Sequence, residues 1–410
     1  MANVTQLKHL EHIEDVMLAS EEEGGGVKGC HTAVDWMRQL LLMMGQKGSS
    51  SFMQTKWDGA PSVVVGEDPA NGAFFVGTKS VFNKKPLIAY SYRMINNMYK
   101  KPEVNKKLKY CLHFFRQLDI KGIIQGDLLF TPEDKVVHDL KDKADGKLKP
   151  HYIFKPNTIT YAIPVDSEMG QKVKQAKIGV VFHTPYGNNF QVSGASVNIK
   201  RLRENKNVLV VDNDTPIQDL AVDQNIISAF ESNINAIDAH CKKSGKFLNN
   251  IISHYDKAVP GKFHIANYIK SYFNEEARQK GIPNADNLLN HLVEWYRSKM
   301  RDEILKVSGD NAQEARRKMM FVGIAFLEAN RDEFRSMVEL YKKIQVAKKL
   351  VMKELDRLEE FGTWALTPDG YKVTNPEGYV LHVDGNMIKL VDRLEFSYLN
   401  FTLPKQWKDG

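Results

Sequence analysis

The sequence predicts an α+β protein in which an all-helical segment interrupts a sheet-forming chain. Three observations predict it. Residues 50–215 carry short β-branched and aromatic runs bounded by Gly, Pro, Asn and Asp, the texture of strands and turns. From residue 216 to about 361 the apolar residues recur at helical spacing instead. Strand texture then returns and persists to the end of the chain. A sheet region that stops and resumes implies an insertion, with divisions at 1–215, 216–361 and 362–410.

Taken in order, the first 49 residues suggest two amphipathic helices, near Leu7 to Leu18 and from Thr32 to Met44, separated by Gly24-Gly25-Gly26. Ser62 to Val65, Phe74 to Val76, Ile123-Ile124, Ile178 to Phe182 and Val208 to Val211 read as strands. Their near-continuous apolar character predicts burial on both faces of a sheet. Asp214-Thr215-Pro216 supplies a helix N-cap and first-turn proline, and Gly362 a C-cap at the far border. Between them, stripes such as Ile227, Phe230, Ile234, Ile237 and Phe334, Val338, Tyr341, Ile344 predict several helices with a core of their own. Tyr379-Val380-Leu381 and Met387 to Val391 predict a hairpin turning at Asp384-Gly385-Asn386.

Composition bounds the function. At 410 residues, 42% hydrophobic and 26% charged, the chain is ordinary for a globular protein. Its apolar runs are too short to span a bilayer. The N-terminal residues lack the basic-then-apolar pattern of a secretory signal. Three scattered cysteines form neither a zinc motif nor a disulfide framework. A cytoplasmic location follows as the expectation, with no membrane association and no obligate protein partner. The net charge of +7 suits a polyanionic partner. Much of it lies between Lys84 and Tyr110, where lysines alternate with Tyr90, Tyr92, Tyr99 and Tyr110. Cations beside stacking rings suit single-stranded nucleic acid. The same run equally suits a solvated helix face over core tyrosines.

Lys56-Trp57-Asp58-Gly59 is the stretch with most chemistry in it. A lysine there can act as a nucleophile once burial or nearby cations favour its neutral form. Asp58, two residues on in extended chain, shares its face and can orient it. Gly59 lets the backbone pass close to a ligand such as a ribose. Alone, the four-residue pattern is weak and describes many surface turns.

Read with the rest of the chain in order, the pattern resembles the covalent nucleotidyltransferases: ATP-dependent DNA ligases, RNA ligases and mRNA capping enzymes. Lys56 to Gly59 matches their nucleophile motif. Gly77-Thr78-Lys79-Ser80 is similar to the segment on the phosphate or ribose side. Gln125-Gly126-Asp127-Leu128 looks like the third motif, with Asp127 where many relatives have Glu. Ile178 to His183 resembles the strand whose aromatic residue packs on the purine, here Phe182. Glu377-Gly378-Tyr379-Val380 matches the next motif, and Ile388-Lys389-Leu390-Val391 the last. The last motif departs from the usual Lys-x-Lys, because Val391 takes the second place. Lys79 replaces an arginine common in DNA ligases.

The resemblance implies a ligase-type nucleotidyltransferase domain of antiparallel sheets, related to the ATP-grasp arrangement, and a three-step reaction. Lys56 attacks ATP and becomes lysyl-AMP, AMP passes to a 5′-phosphate, and a 3′-hydroxyl displaces AMP. Lys56 and Lys389 are then catalytic, and Asp58, Gly59, Lys79, Asp127, Phe182 and Glu377 line the nucleotide. Lys389 and a divalent metal would stabilise charge on the α-phosphate. Asp127 and Glu377 are hard oxygen donors suited to Mg²⁺ or Mn²⁺, though one of them could hold the ribose hydroxyls instead.

RNA ends are preferred over DNA because DNA ligases and capping enzymes carry an OB-fold after the final lysine motif, and the chain stops at Gly410. Phage-type RNA ligases resemble it most, so a virus-encoded enzyme acting in the host cytoplasm fits. A helical block between the aromatic and Glu-Gly strands is not the usual placement. Its basic clusters, Arg316 to Lys318 and Lys342, Lys343, Lys348 and Lys349, could meet a phosphate backbone. Two other readings stay open: an adenylyltransferase with a DNA, protein or small-molecule acceptor, and a non-catalytic nucleic-acid-binding relative. His151, His183 and Asp139 show no metal spacing, and His183 reads as a strand-end residue with a local hydrogen bond. Lys28 is followed by Gly29, so Gly24 to Cys30 lacks the Gly-Lys-Ser/Thr ending of a phosphate loop.

Overall fold

A computed structural model describes residues 11–44, 52–141, 146–193, 197–215, 217, 220–253, 265–279, 281, 283–358, 362–367, 370–373, 378–383 and 386–392. The chain is α+β. It begins with a 3-10 turn, Ile13–Leu18, and helix α1 (Gly26–Met43). Then come β1 (Phe52–Lys56), β2 (Ser62–Glu67), β3 (Phe74–Gly77), α2 (Tyr92–Met98), α3 (Pro102–Phe115) and β4 (Ile123–Phe130). β5 (Lys135–Lys141), β6 (Leu148–Phe154), β7 (Thr160–Pro164), α4 (Glu168–Gln175), β8 (Ile178–Tyr186) and β9 (Val208–Val211) follow. The helical stretch comprises α5 (Gln224–Ser253), α6 (Ile265–Arg278), α7 (Ala285–Leu305), α8 (Asp310–Ala329) and α9 (Arg331–Leu355). β10 (Gly362–Thr367), β11 (Gly370–Val373), β12 (Gly378–Val383) and β13 (Asn386–Leu390) end it.

Among the described residues the strands form three sheets, ordered β1-β12-β13, β3-β2-β4-β8-β9 and β11-β10-β7-β6-β5. The pairings are antiparallel except β8 with β9. The return of the chain after the helices therefore completes two sheets begun before them: β12 pairs with β1, and β10 with β7. The expected hairpin is β12–β13, although residues 384 and 385 at its turn lie outside the described residues.

The N-terminal helices differ from expectation. Within the described residues the first is the 3-10 turn, residues 7–10 lying outside them, and α1 starts at Gly26, earlier than the apolar period suggests. Its start is fixed from a distance: the Asn249 side chain of α5 accepts the Val27 N–H at 2.9 Å, satisfying a donor that the helix leaves unpaired.

Among the described residues the helices share their core with a sheet. The apolar face of the β1-β12-β13 sheet (Met53, Tyr379, Leu381, Ile388 and Leu390) shares one buried cluster with Met37 and Leu40 of α1, Phe230 of α5, and Phe334 and Tyr341 of α9. A sheet with one apolar face must bury it against another layer, and the helical stretch is that layer. The central sheet is covered on one face by α2 and α3, where Val63, Val65, Ile124, Val180 and Phe182 meet Leu108 and Phe115.

Part of the basic, tyrosine-rich segment is occupied internally, while Lys84, Lys85, Arg93, Lys100 and Lys101 are exposed. Tyr99 is buried and donates to the Leu87 carbonyl at 2.8 Å. Tyr110 and Lys106 both meet Glu133, and Lys107 pairs with Asp134 at 3.3 Å. Tyr92 alone of the four is exposed. Among the described residues no helix is long and apolar enough to cross a membrane.

Candidate functional site

Register decides which side chains meet. Lys56, the last residue of β1, pairs with Gly378, and Gln54 pairs with Val380, which pairs in turn with Lys389. Side chains alternate along a strand, and directly paired residues share a face. Gln54, Lys56, His382 and Lys389 therefore project from one face of this sheet, opposite the face buried by the helices. His382 donates from Nε2 to Gln54 Oε1 at 2.8 Å, and Gln54 Nε2 reaches Asp214 at 3.3 Å.

The central sheet supplies the facing groups. Asp127 on β4 pairs with Ser62 on β2 and Val181 on β8. The ladder slips between Gln125 and Gly126, a bulge that turns consecutive residues His183 and Thr184 to the same side. His183 Nε2 thereby lies 3.5 Å from Asp127 Oδ2, and its Nδ1 2.7 Å from Thr184 Oγ1. Both side chains stay partly open, at 24% for His183 and 23% for Asp127. Gln125 donates to Ser62 Oγ at 2.9 Å and accepts from Tyr186 at 2.6 Å.

Charge ties the two sheets together. Burial opposes ionisation of Asp127, yet the charge and hydrogen bond of His183, a hydrogen bond from Ser62 and the Lys56 ammonium hold its carboxyl below the ordinary value. Burial, and then the charge of His183, push the His382 imidazole down to about 4. Lys56 of one sheet thus acts through its charge on Asp127 of the other, and His183 on His382.

The Lys56 loop is built to approach β4. A Cβ on Gly59 would stand 2.6 Å from the Asp127 Cβ and 2.9 Å from the Leu128 carbonyl oxygen, so no larger residue fits. The close approach is to the strand that carries Asp127. Asp58 is buried. Its carboxylate accepts from Asn157 Nδ2 at 2.6 Å and from the N–H groups of Thr158 and Ile159 at 2.6 and 2.7 Å. The Asp58 N–H donates to the Tyr161 hydroxyl at 2.8 Å, so the residue ties the loop to the β6–β7 turn.

The defining sequence pattern of one protein family matches residues 3–405. The chain belongs to DUF6267, a family of unknown function. No curated protein and no solved structure matches it.

In this DUF6267 protein the strand register puts Lys56 and Lys389 on one face of their sheet, and the Lys56 charge acts on Asp127 of the central sheet. Lys79 follows β3 and is exposed. Because Gly77 pairs with Val64, the chain beyond it runs toward the level of Ser62 and Asp127. Phe182 is not brought to the face of the sheet that carries Asp127. It pairs with Gly126 on the opposite face, is fully buried, and meets Phe115 of α3 with centroids 5.4 Å apart. Glu377 lies outside the described residues, but its neighbour Gly378 pairs with Lys56.

Gln54, Ser62 and His382 were not singled out from sequence. The alternation Gly378-Tyr379-Val380-Leu381-His382 does carry the signal for His382, since odd and even residues must face opposite ways. His183 makes the local hydrogen bond expected of it, and also meets Asp127.

The residues present fit Mg²⁺ or Mn²⁺ in one limited way. Among the described residues no group of three His, Cys, Asp or Glu converges as a metal cage. Mg²⁺ commonly takes one or two carboxylates and completes its shell with water and substrate phosphates. Asp127, held ionised and partly open, is such a donor.

Proposed function

We propose that this protein is an ATP-dependent covalent nucleotidyltransferase of the ligase-type fold, and that it seals RNA ends through a lysyl-AMP intermediate. One observation carries the reading. Residues from the two ends of the chain, Lys56 and Lys389, share one sheet face, and the loop that follows Lys56 packs at Gly59 against Asp127 of a second sheet. Those are the residues that the motif series picks out.

In this reading the Lys56 amine attacks the α-phosphorus of ATP, forming an N–P bond as pyrophosphate leaves. Lys389 supplies positive charge to the non-bridging oxygens as the transition state develops. Asp127 and Glu377 would hold Mg²⁺ or Mn²⁺, which when bound adds Lewis-acid charge at the phosphates. Gly59 keeps the nucleophile loop pressed on β4, so Lys56 and Asp127 stay in register. AMP then passes to a 5′-phosphate, and a 3′-hydroxyl displaces it. RNA as the acceptor rests on the resemblance to RNA ligases, with DNA, protein and small molecules as the competing acceptors.

Purified protein incubated with Mg²⁺ and ATP labelled in its α-phosphate tests the chemistry. The label should stay on the denatured chain and leave it on adding 5′-phosphorylated RNA with a 3′-hydroxyl partner. A chain that takes up no label would rule out the covalent mechanism. Release to DNA, or to neither nucleic acid, would reassign the acceptor.

A further inference from the structure

One fully buried ion pair has no part in the proposed chemistry. Lys348 of α9 is 1% exposed and Glu14 of the N-terminal segment 0%, with Nζ and Oε1 2.7 Å apart. The sequence suggested Lys348 as one of several surface lysines for a phosphate backbone; its burial removes it from that role. Its ammonium also donates to the Val391 carbonyl at 2.7 Å. Val391 follows directly on β13, two residues after Lys389.

The surroundings converge on the same strand. The Lys389 N–H donates to the Glu11 carbonyl at 3.1 Å, and His12 bridges Lys389 in parallel, so residues 11–12 lie along the outer edge of β13. Lys349 of α9 pairs with Asp392 at 3.1 Å, and Tyr341 donates to Asp15 at 3.4 Å. Lys270 of α6 holds Glu11 at 3.0 Å. The N-terminal segment, the helical stretch and β13 thus meet at one place.

Stability does not account for a buried pair. Desolvating two ions costs several kcal/mol each, and well-packed apolar substitutes are often neutral or better. Register does account for it. Among the described strands β13 is at the edge of its sheet, and a slip of one residue there would carry Lys389 to the opposite face, away from Lys56. A donor fixed in α9 and aimed at the Val391 carbonyl pins the strand just past Lys389. Glu14 holds that donor in place at 2.7 Å while tying in the segment that lines the other edge.

We infer that Lys348, held by Glu14, is a positioning residue that sets the register of β13 and so keeps Lys389 on the sheet face it shares with Lys56. This rests on the nucleotidyltransferase reading above. It also implies that the helical stretch takes part in the attack on ATP, through α9.

The test uses the full chain and single-turnover formation of labelled lysyl-AMP across a range of ATP concentrations. Lys348→Met should slow the step at saturating ATP on the order of tenfold to a hundredfold, as misplacement of a reacting group does. The ATP concentration for half-maximal rate should move little. In a Lys389→Ala background the same substitution should cause no further loss, because its effect passes through Lys389. A purely structural role predicts an undiminished loss in that background. Should Lys348→Met fail to fold, Glu14→Leu with Lys348→Met removes both charges, retains a buried apolar pair, and should show the same rate loss. Either folded variant labelling at the wild-type rate, or losing rate equally with and without Lys389, overturns the inference. Absence of label on the wild-type chain would remove the nucleotidyltransferase reading itself, and is read before any variant.

Discussion

The carboxylate of Asp58 accepts the backbone N–H of Thr158 at 2.6 Å, joining the turn after Lys56 to the turn between β6 and β7. It accepts the Ile159 N–H and the Asn157 side chain as well, in a buried site. Asp58→Ala would leave buried donors unpaired, each costing about 1–3 kcal/mol. The variant should therefore unfold at clearly lower urea than wild type, and Asp58→Asn should recover part of the difference. Equal urea midpoints for Asp58→Ala and wild type would show that water replaces these bonds.

The chemistry should divide by residue. Lys56→Ala should abolish labelling while leaving the unfolding midpoint nearly unchanged, since Lys56 is only half-buried at a strand end. The adduct should be acid-labile and alkali-stable, as a phosphoramidate is. Asp127→Ala, Glu377→Ala and Lys389→Ala should each slow lysyl-AMP formation several tens-fold, roughly the loss of one transition-state contact. Peptide mapping that locates AMP elsewhere than Lys56, or wild-type rates in all three variants, would break the assignment.

Phe182 tests a point where sequence and structure part. Its order among the motifs suggested a ring under the purine, but the bulge on β8 sets its face toward α3. Phe182→Leu should cost roughly 1–3 kcal/mol of stability through imperfect core packing. Its ATP dependence in the labelling assay should match wild type. A large rise in the ATP requirement of a folded Phe182→Leu would return the ring to the nucleotide.

What could be read in advance follows from range. Alternation within β12 and β13 and the run of motifs make Lys56 and Lys389 readable as a pair, because strand period fixes a face. The period change at residues 216 and 361 marks the helical stretch for the same local reason. Whether Asp58 orients Lys56 or holds a distant turn is a long-range matter, since Thr158 and Ile159 are far along the chain. The bulge at His183 has no pattern of its own in sequence. Lys348 looks like its solvent-facing neighbours until Glu14 and Val391 arrive from the two ends of the chain.

His382 gives the fold a pH dependence with a definite sign. Its imidazole is held down to about 4 in the fold, by burial first and by His183 second, against an ordinary value of 6.5. Between those values the unfolded chain carries the proton and the folded one does not. Stability is therefore lost as pH falls from about 6.5 toward 4, by roughly 3 kcal/mol from this group. His382→Asn keeps an N–H for Gln54 and removes the titration. Urea unfolding at pH 7 and at pH 4.5 should show the variant losing less stability than wild type. An equal loss in both proteins would mean that His382 is protonated in the fold without penalty.

The helical stretch should prove indispensable to folding, which reverses the expectation from its periodicity. A block with its own core could be exchanged for a short linker, since its borders fall where sheet texture stops and resumes. Its buried side chains, however, run on into Met53, Tyr379, Leu381, Ile388 and Leu390 of the β1-β12-β13 sheet. Removing residues 217–358 would expose that face, and each large apolar side chain left in water forfeits about 1.5–3 kcal/mol. The sum over the face is comparable with the whole stability of a typical domain, about 5–15 kcal/mol. The deletion also takes away Lys348, and with it the donor to the Val391 carbonyl. A chain carrying a Gly/Ser linker in place of these residues should be insoluble, or should lack a cooperative unfolding transition. As a milder probe, Leu381→Ala in the full chain should cost about 2–5 kcal/mol, the range for a buried leucine. A soluble deletion protein that unfolds cooperatively and still takes up AMP would show that the sheet stands without the helices.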